Sequence, residues 1–254
     1  MKQIFAFLGL ICMIGLAKST DYCDPNLCSE GTHIACGHSG EFAASCPANA
    51  EIFNITEPFK DFLLKYHNEK RNYIAGGNDP NHDAACHMGT MQWDDELAAL
   101  AHYNVLQCKM EHDDCHDTLD YHASGQNLAE RWYTGAPNMD KLFQQSVDMW
   151  YNEVQYSNRD YIKSYKRNKE HAIGHFTVMM YQNNVRMGCA AAKYGDENPK
   201  NKQYFLLACN YANTNWVGWP IYNSCSEPAT ACTTGTNPDY PNLCSLEEYY
   251  DFNA

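Results

Sequence analysis

Thirteen cysteines among 254 residues constrain the fold of this chain more than any other feature. Cys12 lies in an apolar stretch at the N-terminus, which leaves twelve of the thirteen in the rest of the chain. An even number of cysteines predicts a disulfide framework with no thiol left over. A metal cluster is the alternative, but no two cysteines after residue 19 have the C-x₂-C spacing typical of zinc sites.

The first 19 residues have the pattern of a secretory signal peptide. Lys2 provides a positive start, and the segment 4–17 is almost continuously apolar. Small residues at Ala17 and Ser19 favour cleavage after Ser19, with cleavage after Ala17 as the alternative. The stretch is shorter than the roughly 20 apolar residues of a membrane span, and no later segment is apolar enough to span. We therefore expect a secreted, extracellular protein; an uncleaved anchor is the competing interpretation.

The charge balance argues against two classes of partner. The chain has 18 Lys and Arg against 31 Asp and Glu, a formal net charge of −13. Its basic residues are too few and too scattered to form a phosphate-binding surface. We therefore expect neither a nucleic acid nor an anionic membrane as partner, and a monomer as the default state.

Hydrophobic periodicity predicts helices followed by strands. Three segments with an apolar stripe at helical spacing are predicted helices: 58–75, 94–108 and 139–156. Three apolar segments are predicted strands: 175–183, 186–195 and 204–212. The first strand is apolar on both faces, as in a central covered strand, and the other two form a hairpin. The residues 109–128 read as a loop that lines a cleft. Helices on a covered antiparallel sheet give an α+β sandwich.

The chain is expected to have four regions. They are a signal peptide at 1–19, a cysteine-rich N-terminal extension at 20–57, a main domain at 58–223 and an acidic, cysteine-containing tail at 224–254. Asn54-Ile55-Thr56 is the single N-x-S/T sequon and precedes a helix, so we predict a glycan on Asn54.

Several motifs in a fixed order resemble those of the CAP superfamily, which comprises cysteine-rich secretory proteins, antigen 5 and pathogenesis-related proteins. The motifs are His67-Asn68-Glu69-Lys70-Arg71, Trp93-Asp94-Asp95-Glu96-Leu97-Ala98, Gly125-Gln126-Asn127-Leu128, Trp150-Tyr151-Asn152-Glu153, 174–183 and 206–211. Together with the N-terminal cysteines, they are most similar to the insect venom antigen 5 (allergen) branch. The resemblance runs from about 22 to 222 and implies a CAP-type α-β-α sandwich, with 58–223 as the CAP domain.

The resemblance also implies disulfide pairs. Four pairs are implied: Cys23–Cys36, Cys28–Cys115, Cys46–Cys108 and Cys189–Cys209. The last pair also follows from the predicted hairpin, in which the two cysteines lie on neighbouring strands. Four further cysteines are expected to form two more bridges of open connectivity: Cys86, Cys225, Cys232 and Cys244.

In the family, two histidines and two carboxylates converge at the floor of a cleft. Carried over, this set is His112, Gln126, Glu153 and His175. Imidazoles and a carboxylate suit zinc or copper, so His112 and His175 are candidate ligands of a weak metal site. Gln126 removes one carboxylate, which lowers the expected affinity and excludes paired carboxylate catalysis. Structural hydrogen bonding is the competing interpretation of the whole set. A pair at His112 and His116 has helical ligand spacing but reads as a solvated loop.

No motif in the sequence assigns a catalytic residue, so we expect a binding protein more than an enzyme. The resemblance implies a defence or signalling protein that uses the cleft for an extracellular protein partner or a small apolar ligand such as a lipid. The alternative is weak metal-dependent hydrolase or redox activity at the histidine and glutamate residues of the cleft.

Overall fold

The computed structural model describes residues 20–253, so the predicted signal peptide lies outside the described residues. The helices are α1 Glu57–Ala75, α2 Asp95–Val105, α3 Met139–Tyr151, α4 Arg159–Lys163 and α5 Gly174–Met180. The strands are β1 Glu51–Phe53, β2 Ala84–Ala85, β3 Gln92–Trp93, β4 Gly125–Tyr133, β5 Arg186–Gly195, β6 Gln203–Tyr211 and β7 Ser224–Cys225. None of these helices is long and apolar enough to cross a lipid bilayer.

The main sheet is antiparallel along the path β1-β5-β6-β4, and β3 joins β5 in parallel. β5 and β6 form the predicted hairpin, in which Cys189 lies opposite Cys209. β4 pairs with β6 along its whole length, with Gly125 opposite Tyr211. A second, two-stranded sheet joins β2 to β7 and so connects the C-terminal tail to the loop after α1.

Helices cover both faces of the main sheet. On one face, α1, α3 and α5 pack over a large core in which Leu63, Phe143 and Phe176 are fully buried. On the other face, α2 contributes Ala101 and Val105 to a smaller core. The α+β sandwich with a central antiparallel sheet that the sequence predicts is therefore confirmed.

The close approach of α2 to β5 depends on Gly188. A Cβ atom at this position would lie 2.1 Å from the backbone nitrogen of Ala98 and 2.4 Å from the carbonyl oxygen of Asp94. The Asp94 side chain also caps α2 by accepting a hydrogen bond from the Leu97 N–H at 2.9 Å. The cap and the glycine together place α2 directly on the sheet.

One predicted strand is wrong. The segment 175–183 was predicted as a covered central strand, but the chain forms helix α5, Gly174–Met180, and an irregular stretch after it. Residues 176–180 are all buried, so this short helix has no polar stripe. A segment that is apolar on every side has the same pattern in a buried helix and in a buried strand, and periodicity does not separate the two.

A second difference concerns β4. Residues 109–128 were predicted to be a loop, yet the ladder of β4 with β6 begins at Gly125. The strand mixes polar and apolar residues without regular alternation, so its own pattern does not predict a strand. Pairing with β6 selects the extended conformation. The predicted helix 139–156 is also divided, since α3 ends at Tyr151 and a 3-10 helix follows over Asn152–Tyr156.

Six disulfides join all the cysteines that follow the predicted leader. The four pairs implied by the resemblance are present: Cys23–Cys36, Cys28–Cys115, Cys46–Cys108 and Cys189–Cys209. The remaining bridges are Cys86–Cys225 and Cys232–Cys244. Leu243 and Cys244 are fully buried, so part of the tail packs into the main body.

Candidate functional site

Three of the four predicted cleft residues line one pocket. His112, Gln126 and His175 lie around an open cavity of about 390 Å³ between α5, the start of β4 and the loop after β6. Glu153, in the 3-10 helix after α3, stands behind His175. The structure divides the predicted set into two hydrogen-bonded pairs, one on each side of the cavity.

The first pair is His175 and Glu153. The Nδ1 atom of His175 donates to Glu153 Oε1 at 2.6 Å, and the backbone N–H of Phe176 donates to Glu153 Oε2 at 3.0 Å. Glu153 therefore holds both the histidine ring and the first turn of α5. In the neutral ring, a proton on Nδ1 leaves the lone pair on Nε2, which is the atom available to a ligand.

The second pair is His112 and Gln126. The Nδ1 atom of His112 donates to Gln126 Oε1 at 2.7 Å. The Gln126 amide nitrogen donates to Asp113 Oδ2 at 2.8 Å and to Asn210 Oδ1 at 2.9 Å. The glutamine thus accepts on one side and donates on the other, which a carboxylate at this position does not do.

Asp113 and His116 form a buried ion pair that the sequence analysis missed. His116 was expected in a solvated loop, but it is buried, and its Nδ1 donates to Asp113 Oδ1 at 2.6 Å. Burial alone raises the pKa of Asp113, but the hydrogen bonds from His116, Gln126 and Asn104 outweigh it and lower the pKa to about 2. Burial alone lowers the pKa of His116, and the bond and charge of Asp113 raise it above its usual value. The available signal was the i, i+3 spacing of the two residues beside a disulfide-bonded cysteine.

The cleft is tied to the core through a chain of polar groups. Asn127 donates to the carbonyl oxygen of His175 at 3.1 Å and to the hydroxyl of Tyr211 at 3.3 Å. That hydroxyl contacts Nε2 of His67 at 3.0 Å. Burial lowers the pKa of His67 to about 4, so its ring is neutral at pH 7. This network positions the cleft histidine, and its members His67 and Tyr211 are fully buried.

The residues present do not fit a catalytic metal site. Such a site takes three protein ligands and keeps one open position, and Glu153 stands behind His175 and is not among the residues that line the cavity. Within residues 20–253, only His87, Cys244 and Glu248 bring three potential ligand atoms within 4.8 Å of one another. Cys244 is bonded to Cys232 and offers no thiolate. The cleft itself therefore retains two imidazoles as nitrogen ligands.

Comparisons with known proteins agree with this architecture. The profile described as "Cysteine-rich secretory protein family" (CAP) matches residues 64–211. Venom allergen-1 of Aedes aegypti is 36% identical over 250 residues, which cover 96% of this chain and 94% of that protein. Antigen 5 like allergen Cul n 1 of Culicoides nubeculosus is 34% identical over 206 residues, 77% of this chain and 92% of that protein.

Solved structures give the same architecture at lower identity. NaASP2 with Zn²⁺ superposes with a TM-score of 0.61 and 24% identity, covering 79% of this chain and 100% of that chain. Na-ASP-1 superposes with a TM-score of 0.63 and 24% identity, covering 81% of this chain and 50% of that chain. At these identities the likeness supports the fold alone.

Proposed function

Because this chain belongs to the cysteine-rich secretory protein (CAP) family, with venom allergens and antigen 5 proteins of insects among its relatives, we propose that it is a secreted protein that acts by binding and not by catalysis. Its cleft holds a segment of an extracellular protein partner, in a defence or signalling role. The observation that supports this proposal best is the position of Glu153, the one predicted cleft carboxylate, which stands behind His175 and does not line the cavity.

The Glu153 carboxylate does not line the cavity, so it is not placed to act directly as a base on a bound molecule. A general base must have an atom within hydrogen-bonding reach of the proton that it removes. The two oxygens of Glu153 are committed to His175 and to the Phe176 N–H. Ser124 also lines the cleft, but its hydroxyl donates to the carbonyl oxygen of Tyr121. These hydrogen bonds favour a rigid recognition surface over a reaction centre.

The lining favours a protein segment over a small apolar ligand. Most of the side chains around the cavity are polar, including the two histidines, Gln126, Thr214 and Asn215. An apolar ligand would displace water from these groups without replacing its hydrogen bonds, which costs free energy. A peptide segment brings its own donors and acceptors, which replace the hydrogen bonds that the displaced water made.

Two experiments test this proposal. In the first, the purified secreted protein is assayed against ester and peptide substrates, with and without Zn²⁺, beside His175→Ala. We expect no turnover that depends on His175. Turnover that is lost in a folded His175→Ala variant would show that the protein is an enzyme.

The second experiment places a photo-crosslinking amino acid at Ala172, which lines the cleft, or at Lys65 on the exposed side of α1 as the control. We expect a defined adduct in extracellular fluid only from position 172. Excess unlabelled protein should suppress it, and excess His112→Ala/His175→Ala protein should not. Equal adducts from both positions would contradict partner binding at the cleft.

Secretion and glycosylation are tested together. The disulfides require an oxidising compartment, and Asn54 is exposed next to β1. We expect protein in the culture medium that begins at Thr20 and loses the mass of one glycan on enzymatic deglycosylation. Thr56→Ala is a clean control because this N-cap side chain makes no cap hydrogen bond, so the sequon is removed while α1 is kept. Protein retained in the cell with an intact N-terminus would overturn the secretion proposal.

Weak binding of Zn²⁺ or Cu²⁺ is a second candidate function. The supporting observation is that an acceptor fixes Nδ1 of both cleft histidines, which is how proteins orient imidazole ligands. The structure named for NaASP2 with Zn²⁺ has the same fold. Isothermal titration of each ion should give micromolar binding that the His112→Ala/His175→Ala variant loses. Equal heats of binding from the unmodified protein and the variant would show that the two histidines do not bind the ion and have a structural role.

A further inference from the structure

A second pocket lies beside the histidine cleft and differs from it in chemistry. It has a volume of about 360 Å³, within the range of small-molecule sites. Its lining is His122, Ala123, Tyr181, Asn213, Trp216, Trp219, Phe252 and Asn253. None of these residues also lines the cleft, although the same two loops supply both walls. We call this cavity the aromatic pocket.

The tryptophans of the aromatic pocket are held in place by their backbone. Trp216 and Trp219 are 48% and 52% exposed, and they bracket a turn closed by the Trp219 N–H donating to the Trp216 carbonyl at 3.0 Å. Gly218 has a φ of +90°, which this turn requires and which favours glycine. Tyr165 pairs with both sides of the turn, since it accepts from the Gly218 N–H at 2.7 Å and donates to the Trp219 carbonyl at 2.7 Å. The backbone that carries the exposed rings is therefore preorganised, which lowers the entropic cost of binding.

The C-terminal end of the chain forms the opposite wall. The Phe252 ring packs edge-on against Tyr121, with centroids 5.1 Å apart, and its carbonyl accepts from the Asn213 side chain at 2.8 Å. The Asn253 side chain accepts from the His122 N–H at 3.0 Å and donates to the Asp120 carbonyl at 3.0 Å. These bonds hold the last residues described in place, so the wall is a built part of the fold.

Tyr181 supplies the aromatic pocket with a polar group. It is 6% exposed and lines the pocket, yet its hydroxyl has no hydrogen-bond partner among residues 20–253. The hydroxyl oxygen itself is not fully buried, so it is open to the pocket, where water or a ligand can bond to it. Burial raises the pKa of Tyr181, so the group keeps its proton and is a donor at pH 7. A ligand oxygen in the pocket would satisfy it.

We propose that the aromatic pocket binds a neutral, flat aromatic molecule of two or three fused rings that carries one hydroxyl or carbonyl oxygen. The rings stack on Trp216 and Trp219, and the oxygen accepts from the Tyr181 hydroxyl. No Lys, Arg, Asp or Glu is among the lining residues, so a charged ligand would be desolvated without a counter-charge. This site goes beyond the cleft function and does not depend on it.

The test is isothermal titration of the secreted, disulfide-bonded protein with 2-naphthol. We expect saturable binding to one site, weakened about tenfold in Trp219→Ala by loss of stacking. Tyr181→Phe should weaken it about fivefold, the value of one hydrogen bond. Trp132→Ala, which removes a 65% exposed tryptophan on β4, is the matched control and should leave the affinity unchanged. Unaltered melting temperatures establish that the variants are folded.

Three outcomes would overturn the proposal. The first is the absence of saturable binding, and the second is equal affinity in Trp219→Ala and the unmodified protein. The third concerns ligand class: 1-decanol bound as tightly as 2-naphthol, with the same dependence on Trp219, would make the pocket a site for aliphatic chains. Equal affinity in Tyr181→Phe would remove the assigned role of the hydroxyl. 2-Naphthalenesulfonate should bind at least tenfold more weakly, since its charge has no partner in the pocket.

Discussion

At the scale of single residues, Gln126 determines the charge of the cleft. Its amide nitrogen donates to Asp113 and to Asn210, while its oxygen accepts from His112. A glutamate here would lose both donated bonds and would lie within hydrogen-bonding distance of the Asp113 carboxylate. Negative charge at the cleft is therefore carried by Asp113, which lines the cavity, and by Glu153 behind His175.

Gln126→Glu should destabilise the protein at pH 7 by about 1–3 kcal/mol, the cost of unmade buried hydrogen bonds. The nearby Asp113 charge raises the pKa of a new carboxyl, so the loss should be smaller at pH 4.5, where that carboxyl binds a proton. Urea unfolding at the two pH values measures the difference. Gln144→Glu on the exposed side of α3 is the matched control. An equal loss at both pH values would exclude repulsion by Asp113.

The pair of Asp113 and His116 should give the protein a pH-dependent stability. The pKa of His116 is raised in the folded protein, so its ionisation stabilises the fold. This stabilisation is complete below the pKa of a histidine in the unfolded chain, about 6.5, and is lost as pH rises through the folded pKa. The contribution of Asp113 is complete above about 4 and is lost as pH falls toward its folded pKa of about 2.

His116→Gln should therefore cost more stability at pH 5.5 than at pH 8.5, as read by denaturant unfolding. The exposed His171, changed to Gln, is the control and should show no such difference. A larger cost at pH 8.5 than at pH 5.5 would mean that His116 is neutral in the folded protein.

At the scale of the elements, Arg71 joins α1 to α5 and to the segment before β3. Its guanidinium is fully buried and donates to the carbonyl oxygens of Gly89, Met179 and Tyr181 at 2.7–3.1 Å. Burial lowers its pKa to about 10, which leaves it charged at pH 7. The carbonyls at the end of α5 have no further helix to bond to, so the arginine replaces the missing turn.

Arg71→Met should lower the free energy of unfolding by about 3 kcal/mol or more, because several buried carbonyls lose their donor. Hydrogen exchange should increase first in α5. Lys65→Met removes an exposed cation from the same helix, where the ion pair with Glu69 at 3.8 Å contributes little, and is the control. Similar losses in the two variants would contradict a specific role for Arg71.

At the scale of the whole molecule, one disulfide attaches the C-terminal tail to the main body, and a second closes a loop within the tail. Cys86–Cys225 spans 139 residues, and Cys232–Cys244 spans 12. The tail supplies buried Leu243 to the core and Phe252 to the aromatic pocket. The bridges therefore support the wall of the proposed aromatic pocket as well as overall stability.

Replacing Cys86 and Cys225 by Ser should lower the free energy of unfolding by about 3–5 kcal/mol, since the unfolded chain regains a long loop. Removing Cys232 and Cys244 should lower the free energy of unfolding by less, because the loop that this bridge closes is short. Thermal unfolding followed by circular dichroism compares the two double variants. A larger loss of stability in the variant without Cys232 and Cys244 would show that local packing around Cys244, and not loop closure, dominates.

The sequence by itself determined the even set of cysteines, the helices α1 and α2, the β5–β6 hairpin and the order of motifs that identifies the family. Each of these depends on local periodicity or on spacing along the chain. Tertiary structure decided the rest. Residues 175–180 are helical because Arg71 and the neighbouring layers satisfy the end of α5, and 125–133 are extended because β6 pairs with them. Asp113 acquired its role only through burial, which brings Asn104, His116 and Gln126 to one carboxylate.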